Sequence, residues 1–455
     1  MGRRTVRGAV VAAVLCAVAG AWAGPGAGSE AVAAPDPYTY DFAEGARTVE
    51  GAASTTDAVR LDPGGIYRST LPVNGRLYFR LALDATSNAY VSATAVPRQG
   101  ATVASSDGVK VAVQDADARS CSYDSTRFGA SRSPRPVAAW ASRVTDGETT
   151  ACQGAGTYYV VVDRVDSAGS SSDDWDLELT YVSEPGLVNE VAATPPASPE
   201  SPWAADSPEP LTGDAVPREG GAGFATAAPV GQGVWQDEIT PGRTRFYRVP
   251  VDWGQRLHAV VELGSAGGAA GGGRYVSSAL AVSLYNPARG YVDDEGLGYG
   301  GRQSSAALDP LPPVAYANRY GVGDRTSGMR FAGSYYLVVH LAEQVTERFG
   351  PGPYGLTLRV QVSGTAQDAP GYLGRSVPRD AFAVTEQDRV AAGGWTSGGL
   401  LGGTGAGGTD RDGGRDVAAM RVVAVSGIGA GSLLTLTLGL WTLLARRRAG
   451  RAQMY

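Results

Sequence analysis

Polar and apolar residues roughly alternate through Tyr78-Phe79-Arg80-Leu81-Ala82-Leu83 and again through Phe246-Tyr247-Arg248-Val249-Pro250-Val251. A period of two, rich in aromatic and β-branched types, predicts half-buried β-strands. The runs Tyr158–Val162 and Tyr335–Val339 are almost continuously apolar, as in a strand covered on both faces. Trp175–Tyr181 and Tyr354–Val362 alternate cleanly, with the apolar set expected to face inward. Gly, Pro, Asn and Asp bound these runs, and no good helical pattern separates them. Many short strands joined by turns predict an all-β chain built from β-sandwiches.

Two apolar stretches depart from this pattern. Arg3, Arg4 and Arg7 precede an apolar run from Ala9 to Ala19 and then small residues, the three-part layout of a secretory signal peptide over 1–34. Near the other end, Val422 to Ala445 carries no charge and is long enough to cross about 30 Å of hydrocarbon as a helix. Arg446, Arg447 and Arg448 follow it, whereas Asp410, Asp412 and Asp416 precede it. The positive-inside rule then puts the arginines of 446–455 in the cytoplasm and the bulk of the chain outside. The expected location is the plasma membrane, single-pass, with the bilayer as a partner through 422–445. Gly427 and Gly431 form a small-xxx-small pair, a candidate face for a homodimer.

The extracellular part repeats itself. With a shift of 168, Gly65 meets Gly233, Tyr67 meets Trp235, Leu71 meets Ile239 and Asp84 meets Asp252. Downstream, Gly156–Val162 matches Gly333–Val339, and Trp175, Leu177 and Leu179 match Tyr354, Leu356 and Leu358. Three collinear matches at growing shifts describe two copies of one module with insertions in the loops of the second. The order is Gly–aromatic, a Pro241-Gly242-Arg243 turn, a Phe/Tyr strand, then Asp252-Trp253-Gly254-Gln255-Arg256-Leu257. Leu280–Pro287, Gly333–Val339 and Pro353–Leu358 follow. This arrangement resembles the bacterial pre-peptidase C-terminal domain, a secreted jelly-roll-like β-sandwich. The resemblance implies two tandem jelly-roll-like modules, over 36–183 and 218–363, ahead of the C-terminal transmembrane helix read from the apolar run 422–445. That family usually sits beside a secreted protease, and no protease domain accompanies it here.

Between the modules, 184–217 holds eight prolines and six acidic residues with no basic one, the composition of an extended, self-repelling spacer. Residues 364–421 read as loop followed by a Gly-rich stalk. Gly (64) and Pro (27) make up a fifth of the 455 residues, short of the roughly 25–30% that marks low complexity throughout. Folded modules with loose joints are therefore expected.

Composition narrows the chemistry. Lys110 is the one lysine among 39 basic residues, histidine occurs only as His258 and His340, and the net charge is −6. Such a chain lacks the basic surface a nucleic acid requires. The preference for Arg, with abundant Ala and Gly, resembles the usage of a high-GC bacterial genome. No GxSxG, HExxH, CxxC or Walker A pattern occurs. Two formal GxGxxG matches, at Gly296 and Gly403, do not join a strand to a helix. Both histidines are expected as packed strand residues. Loop carboxylates on sandwiches can hold Ca²⁺, which makes Asp293, Asp294 and Glu295, and Asp115 with Asp117, the calcium candidates; Asp173 and Asp174 form a further acidic pair. No catalytic residue and no cofactor is expected.

These features predict a non-enzymatic surface protein that binds or scaffolds another secreted or envelope component. The alternative is an accessory subunit of a separate hydrolase. Once the signal peptide with Cys16 is removed, Cys121 and Cys152 remain, and outside the cell an even pair predicts a disulfide. Closing a loop of about 30 residues stabilises by roughly 3–4 kcal/mol on the chain-entropy model. Neither thiol is expected to label with an alkylating reagent in non-reduced secreted protein; labelling of both would exclude the bridge.

Overall fold

The computed structural model describes residues 40–145, 151–188, 211–267 and 274–393. The predicted signal peptide, the centre of the spacer, the glycine stalk, the span 422–445 with Gly427 and Gly431, and Arg446–Arg448 lie outside the described residues. Among the described residues no helix is long and apolar enough to cross a membrane.

The first sandwich comprises β1 (Arg47–Thr48), β2 (Val59–Arg60), β3 (Ile66–Leu71), β4 (Arg76–Leu83), β5 (Asn88–Val96), β6 (Gly108–Gln114), β7 (Ser120–Arg127), β8 (Val137–Arg143), β9 (Gly156–Val165) and β10 (Trp175–Glu184). One sheet has the order β1-β3-β10-β5-β8 and the other β2-β4-β9-β6-β7. The eight longer strands therefore switch sheets at each step except the β6–β7 hairpin, the winding of a jelly roll. The second sandwich comprises β11 (Val216–Pro217), β12 (Ala228–Pro229), β13 (Gly233–Ile239), β14 (Thr244–Val251), β15 (Arg256–Leu263), β16 (Val276–Tyr285), β17 (Tyr291–Tyr299), β18 (Ser304–Ala307), β19 (Gly333–Leu341) and β20 (Tyr354–Ser363). Its sheets run β11-β13-β20-β15-β18 and β12-β14-β19-β16-β17, strand for strand the order of the first. Short helices α1 (Asp324–Ser327), α2 (Gln344–Phe349) and α3 (Glu386–Ala391) lie in connections and after the last strand.

Each sandwich closes over its own core. In the first, Leu77, Phe79 and Leu81 of β4 meet Trp175, Leu177 and Leu179 of β10 across the interior. In the second, Tyr247 and Val249 of β14 meet Tyr354, Leu356 and Leu358 of β20. These are the alternating apolar sets of the sequence, so the inward faces follow the period-two pattern. Cys121 and Cys152 are bridged, tying the start of β7 to the chain entering β9.

The outward faces differ between the copies. On β20 the residues between the core positions are half-buried or exposed, as alternation predicts. On β10 the corresponding Glu178, Thr180, Val182 and Glu184 are buried, and on β5 so are Asn88, Tyr90, Ser92 and Thr94. These positions carry polar groups, but the second sandwich covers them. The sheet β1-β3-β10-β5-β8 packs its outer face on that of β12-β14-β19-β16-β17, and both sandwiches fall in one compact unit. Two glycines permit the approach: a Cβ on Gly290 would meet the Trp140 ring at 2.5 Å, and one on Gly223 would meet the Asp41 carbonyl at 2.2 Å.

The stretch after Ser363, expected as loop leading into a stalk, folds back over both sandwiches. Val377 exchanges backbone hydrogen bonds with Ser183, and Leu373 donates to the Gly186 carbonyl. Phe382 stacks on Phe331 at 4.3 Å and meets Tyr90 edge-on. The chain then returns to the second sandwich through α3, where Arg389 pairs with Asp252 at 2.7 Å and the Ala392 carbonyl accepts from Gly231. Thr385 and Asp388 cap α3 reciprocally.

Candidate functional site

The seam between the sandwiches holds the polar chemistry that a sandwich core lacks. Two aromatic clusters frame it. Tyr40 and Phe42 from the start of the first sandwich pack with Phe224, Phe246, Tyr285 and Tyr336 of the second. At the other end Tyr90 and Trp140 pack with Phe331 and Phe382. Most of these rings meet edge to face, and each such pair contributes about 0.5–1.5 kcal/mol beyond its buried area.

A carboxylate sits beside each cluster. Glu178 accepts from the Tyr40 hydroxyl at 2.9 Å and from the Ala43 amide at 3.1 Å, and it pairs with Arg289 of the second sandwich. The Arg289 guanidinium lies 4.7 Å over the Phe224 ring. Glu184, fully buried, accepts from Asn88 (2.8 Å), the Tyr90 hydroxyl (2.8 Å), both terminal nitrogens of Arg319 (2.9 and 3.3 Å) and the Tyr372 hydroxyl (2.9 Å). Those donors come from the first sandwich, the second sandwich and the returning C-terminal stretch. Burial works to raise the Glu184 pKa, but the Arg319 charge and the hydrogen bonds outweigh it and hold the carboxyl below its ordinary value.

His340 on β19 lies on the same seam. Its Nε2 shares a hydrogen bond with Ser133 of the first sandwich at 2.8 Å, and its Nδ1 shares one with Thr244 at 3.0 Å. Burial, then the charge of Arg135, push the imidazole well below its ordinary value, so it is held neutral. His258 sits half-buried on the outer face of β15, where its repeat equivalent, Tyr90, faces the seam.

Ser133 belongs to a segment, Ser133–Pro136, wedged between the sandwiches, with a cleft on each side. One, of about 340 Å³, is lined by Asp124 and Arg127 of β7, Arg135, Tyr291 and Asp294 of β17, and Asp324. The other, of about 360 Å³, lies among Phe42, Arg68, Arg98, Arg243 and Glu343. Both are open, polar and shared by the two sandwiches.

The calcium candidates are not gathered into one site. Asp293, Asp294 and Glu295 lie within β17, not in a loop at its end, and neighbouring residues of a strand point to opposite faces. Asp293 is buried against Arg325, while Asp294 is exposed and accepts from the Tyr291 hydroxyl. Asp115 folds its carboxylate onto the amides of Asp117 and Arg119 in its own turn. Among the described residues no group of three or more His, Cys, Asp or Glu is arranged to hold a metal ion.

The sequence contains a signal for the seam, in the difference between its copies. By the same alignment Glu178 meets Thr357, Glu184 meets Ser363 and Tyr90 meets His258. The core positions match while the outward ones diverge, because one outer face is covered and its counterpart is free. Composition groups Glu184 with the acidic spacer of 184–217, whereas it is the last residue of β10.

No family model and no curated relative matches the chain. Solved structures with some likeness include the tandem CBM22-1–CBM22-2 domain of Paenibacillus barcinonensis Xyn10C, at 10% identity over 63% of this chain and 82% of that one, with a TM-score of 0.18. The human MASP-1/3 CUB1-EGF-CUB2 domain matches at 9% identity over 65% and 99%, with a TM-score of 0.15. The M60 catalytic domain of Clostridium perfringens ZmpB with its CBM51 domains matches at 8% over 65% and 34%, with a TM-score of 0.15. At such scores none bears on function, and the assignment of two tandem β-sandwiches rests on the strand order itself.

Two outcomes are expected of the seam. Arg319→Met leaves a buried carboxylate unpaired and Glu184→Gln leaves a buried guanidinium without its counter-charge; each should cost about 3–5 kcal/mol in denaturant unfolding. The unfolded chain takes a proton on His340 near pH 6.5 and on Glu184 near 4.3, both above the folded values. Stability is therefore complete above those pH values and falls below them, first through His340 and then through Glu184, by at most about 1.4 kcal/mol per pH unit for each group. His340→Gln should flatten the decline between pH 7 and 5.

Proposed function

We propose that this chain is a non-enzymatic bacterial surface protein, held in the plasma membrane by 422–445. Its two sandwiches, of the pre-peptidase C-terminal kind, present one rigid extracellular platform to a secreted or envelope component. The observation that carries this reading is the seam: two carboxylate–arginine pairs and two aromatic clusters join the modules face to face, which suits a binding scaffold of fixed geometry. Among the described residues, the other two sheets turn outward faces that the seam does not cover. On the first, Tyr123 is largely exposed with Lys110 over its ring at 5.0 Å, and Arg76 and Arg80 stand nearby. On the second, Arg256, His258 and Arg359 occupy the outer positions of β15 and β20. Bridged cysteines fit an oxidising location.

The test uses the full chain, purified in detergent, as bait for solubilised envelope and secreted proteins, with hydrolase assays on the bait alone. One stable partner retained without turnover is the expected result. A hydrolase as that partner would favour the accessory-subunit alternative, and hydrolytic activity in the purified chain would overturn both.

A further inference from the structure

Several charged groups along the seam are held in ion pairs. Glu178, Glu184 and Asp293 each lie against an arginine. In the cleft of about 340 Å³ beside the Ser133–Pro136 wedge, Asp124, Asp294, Asp324, Arg127 and Arg135 gather, and among the described residues none of them forms a direct ion pair. Asp124 of the first sandwich uses its oxygens on the Trp140 and Ser125 amides. Asp324 faces it from the second sandwich at the exposed start of α1, and Asp294 accepts from the Tyr291 hydroxyl. Arg135 donates to the Phe128 carbonyl and the Ser131 hydroxyl, and Arg127 is exposed at the mouth. Burial, with the charge of Asp324 adding to it, raises the Asp124 carboxyl, and burial lowers the Arg135 guanidinium. Asp124 has lost water with no cation beside it among the described residues, and the burial of Arg135 is offset only in part by the charge of Asp294.

Three ligand chemistries separate on this pattern. A Ca²⁺ ion needs six to eight oxygens at about 2.3–2.6 Å from one point, and no acidic cluster of that kind exists among the described residues. A neutral polyol can hydrogen-bond to these side chains but leaves their charges uncompensated. A molecule bearing an ammonium and a carboxylate a few bonds apart compensates both signs together. The cavity lies at the lower end of the about 300–1,000 Å³ of small-molecule sites.

We propose that this cleft binds a small zwitterion, an amino acid or the end of a short peptide. Its ammonium group lies between Asp124 and Asp324, its carboxylate meets Arg135 with Arg127 at the rim, and the Tyr291 ring lines the cleft beside it. Because both sandwiches supply ligand groups, occupancy also strengthens the seam. The inference deepens the binding reading given above and rests on it; the two fail separately, since partner capture by the outer faces does not require the cleft.

The test is a thermal shift of the full chain with glycylglycine and with lysine, against putrescine, acetate and glucose. At ten times Kd the zwitterions should raise the melting midpoint by about 2 °C, and the single-charge and neutral probes should not. Asp324→Asn, at the exposed first residue of α1 and so expected to fold normally, should weaken zwitterion binding at least tenfold, with Asp324→Glu restoring most of it. Equal shifts from glucose or putrescine, no shift from either zwitterion, or undiminished binding by Asp324→Asn would overturn the proposal.

Discussion

A carboxylate removed from water must find donors for its charge or give the charge up, and Glu184 sets that condition at the centre of this molecule. Its two oxygens accept from Asn88 and Tyr90 in the first sandwich, Arg319 in the second and Tyr372 in the C-terminal return. No one of these segments satisfies it alone. Glu178 repeats the condition near the other end of the seam, with Tyr40 and Arg289. The two positions fix the register of one sandwich on the other, as a greasy interface alone would not. The surrounding aromatic rings supply the area, and the paired charges supply the geometry.

Much of the fold is readable in the sequence because a sandwich core imposes a period of two. Trp175, Leu177 and Leu179 announce their inward direction, and the matched Tyr354, Leu356 and Leu358 announce a second copy. The cysteine pair is legible for a different reason: with Cys16 in the expected signal peptide, Cys121 and Cys152 have only each other to bridge with. The seam is hidden by the same alternation that reveals the core: Glu178 and Glu184 occupy outward positions, where a carboxylate normally meets water. Only their replacement by Thr357 and Ser363 in the second copy distinguishes a covered face from a free one. The return stretch has no period to read, because Tyr372, Val377 and Phe382 each serve a separate contact. The acidic run Asp293-Asp294-Glu295 misleads in the opposite sense, since a strand divides adjacent carboxylates between its two faces.

The two copies join through unlike faces, the β10 face of one against the β19 face of the other. Such a heterologous contact could in principle continue with further copies. The second copy carries Thr357, Ser363 and His258 where the first has Glu178, Glu184 and Tyr90, so its equivalent face lacks the carboxylates that take arginines across the seam. Duplication thus provided the architecture, and divergence at the outward positions turned one copy into a docking face and left the other free. The clefts beside the Ser133–Pro136 wedge follow from the same arrangement, as places where two curved sheets cannot stay in contact.

The central claim is that the seam makes the two sandwiches a single cooperative unit. Scanning calorimetry of the full chain tests it most directly, because a coupled pair and two independent modules differ in the number of transitions. One heat-capacity peak, with calorimetric and van't Hoff enthalpies in agreement, is the predicted result. Two resolved peaks, each with the enthalpy of a single sandwich, would contradict it.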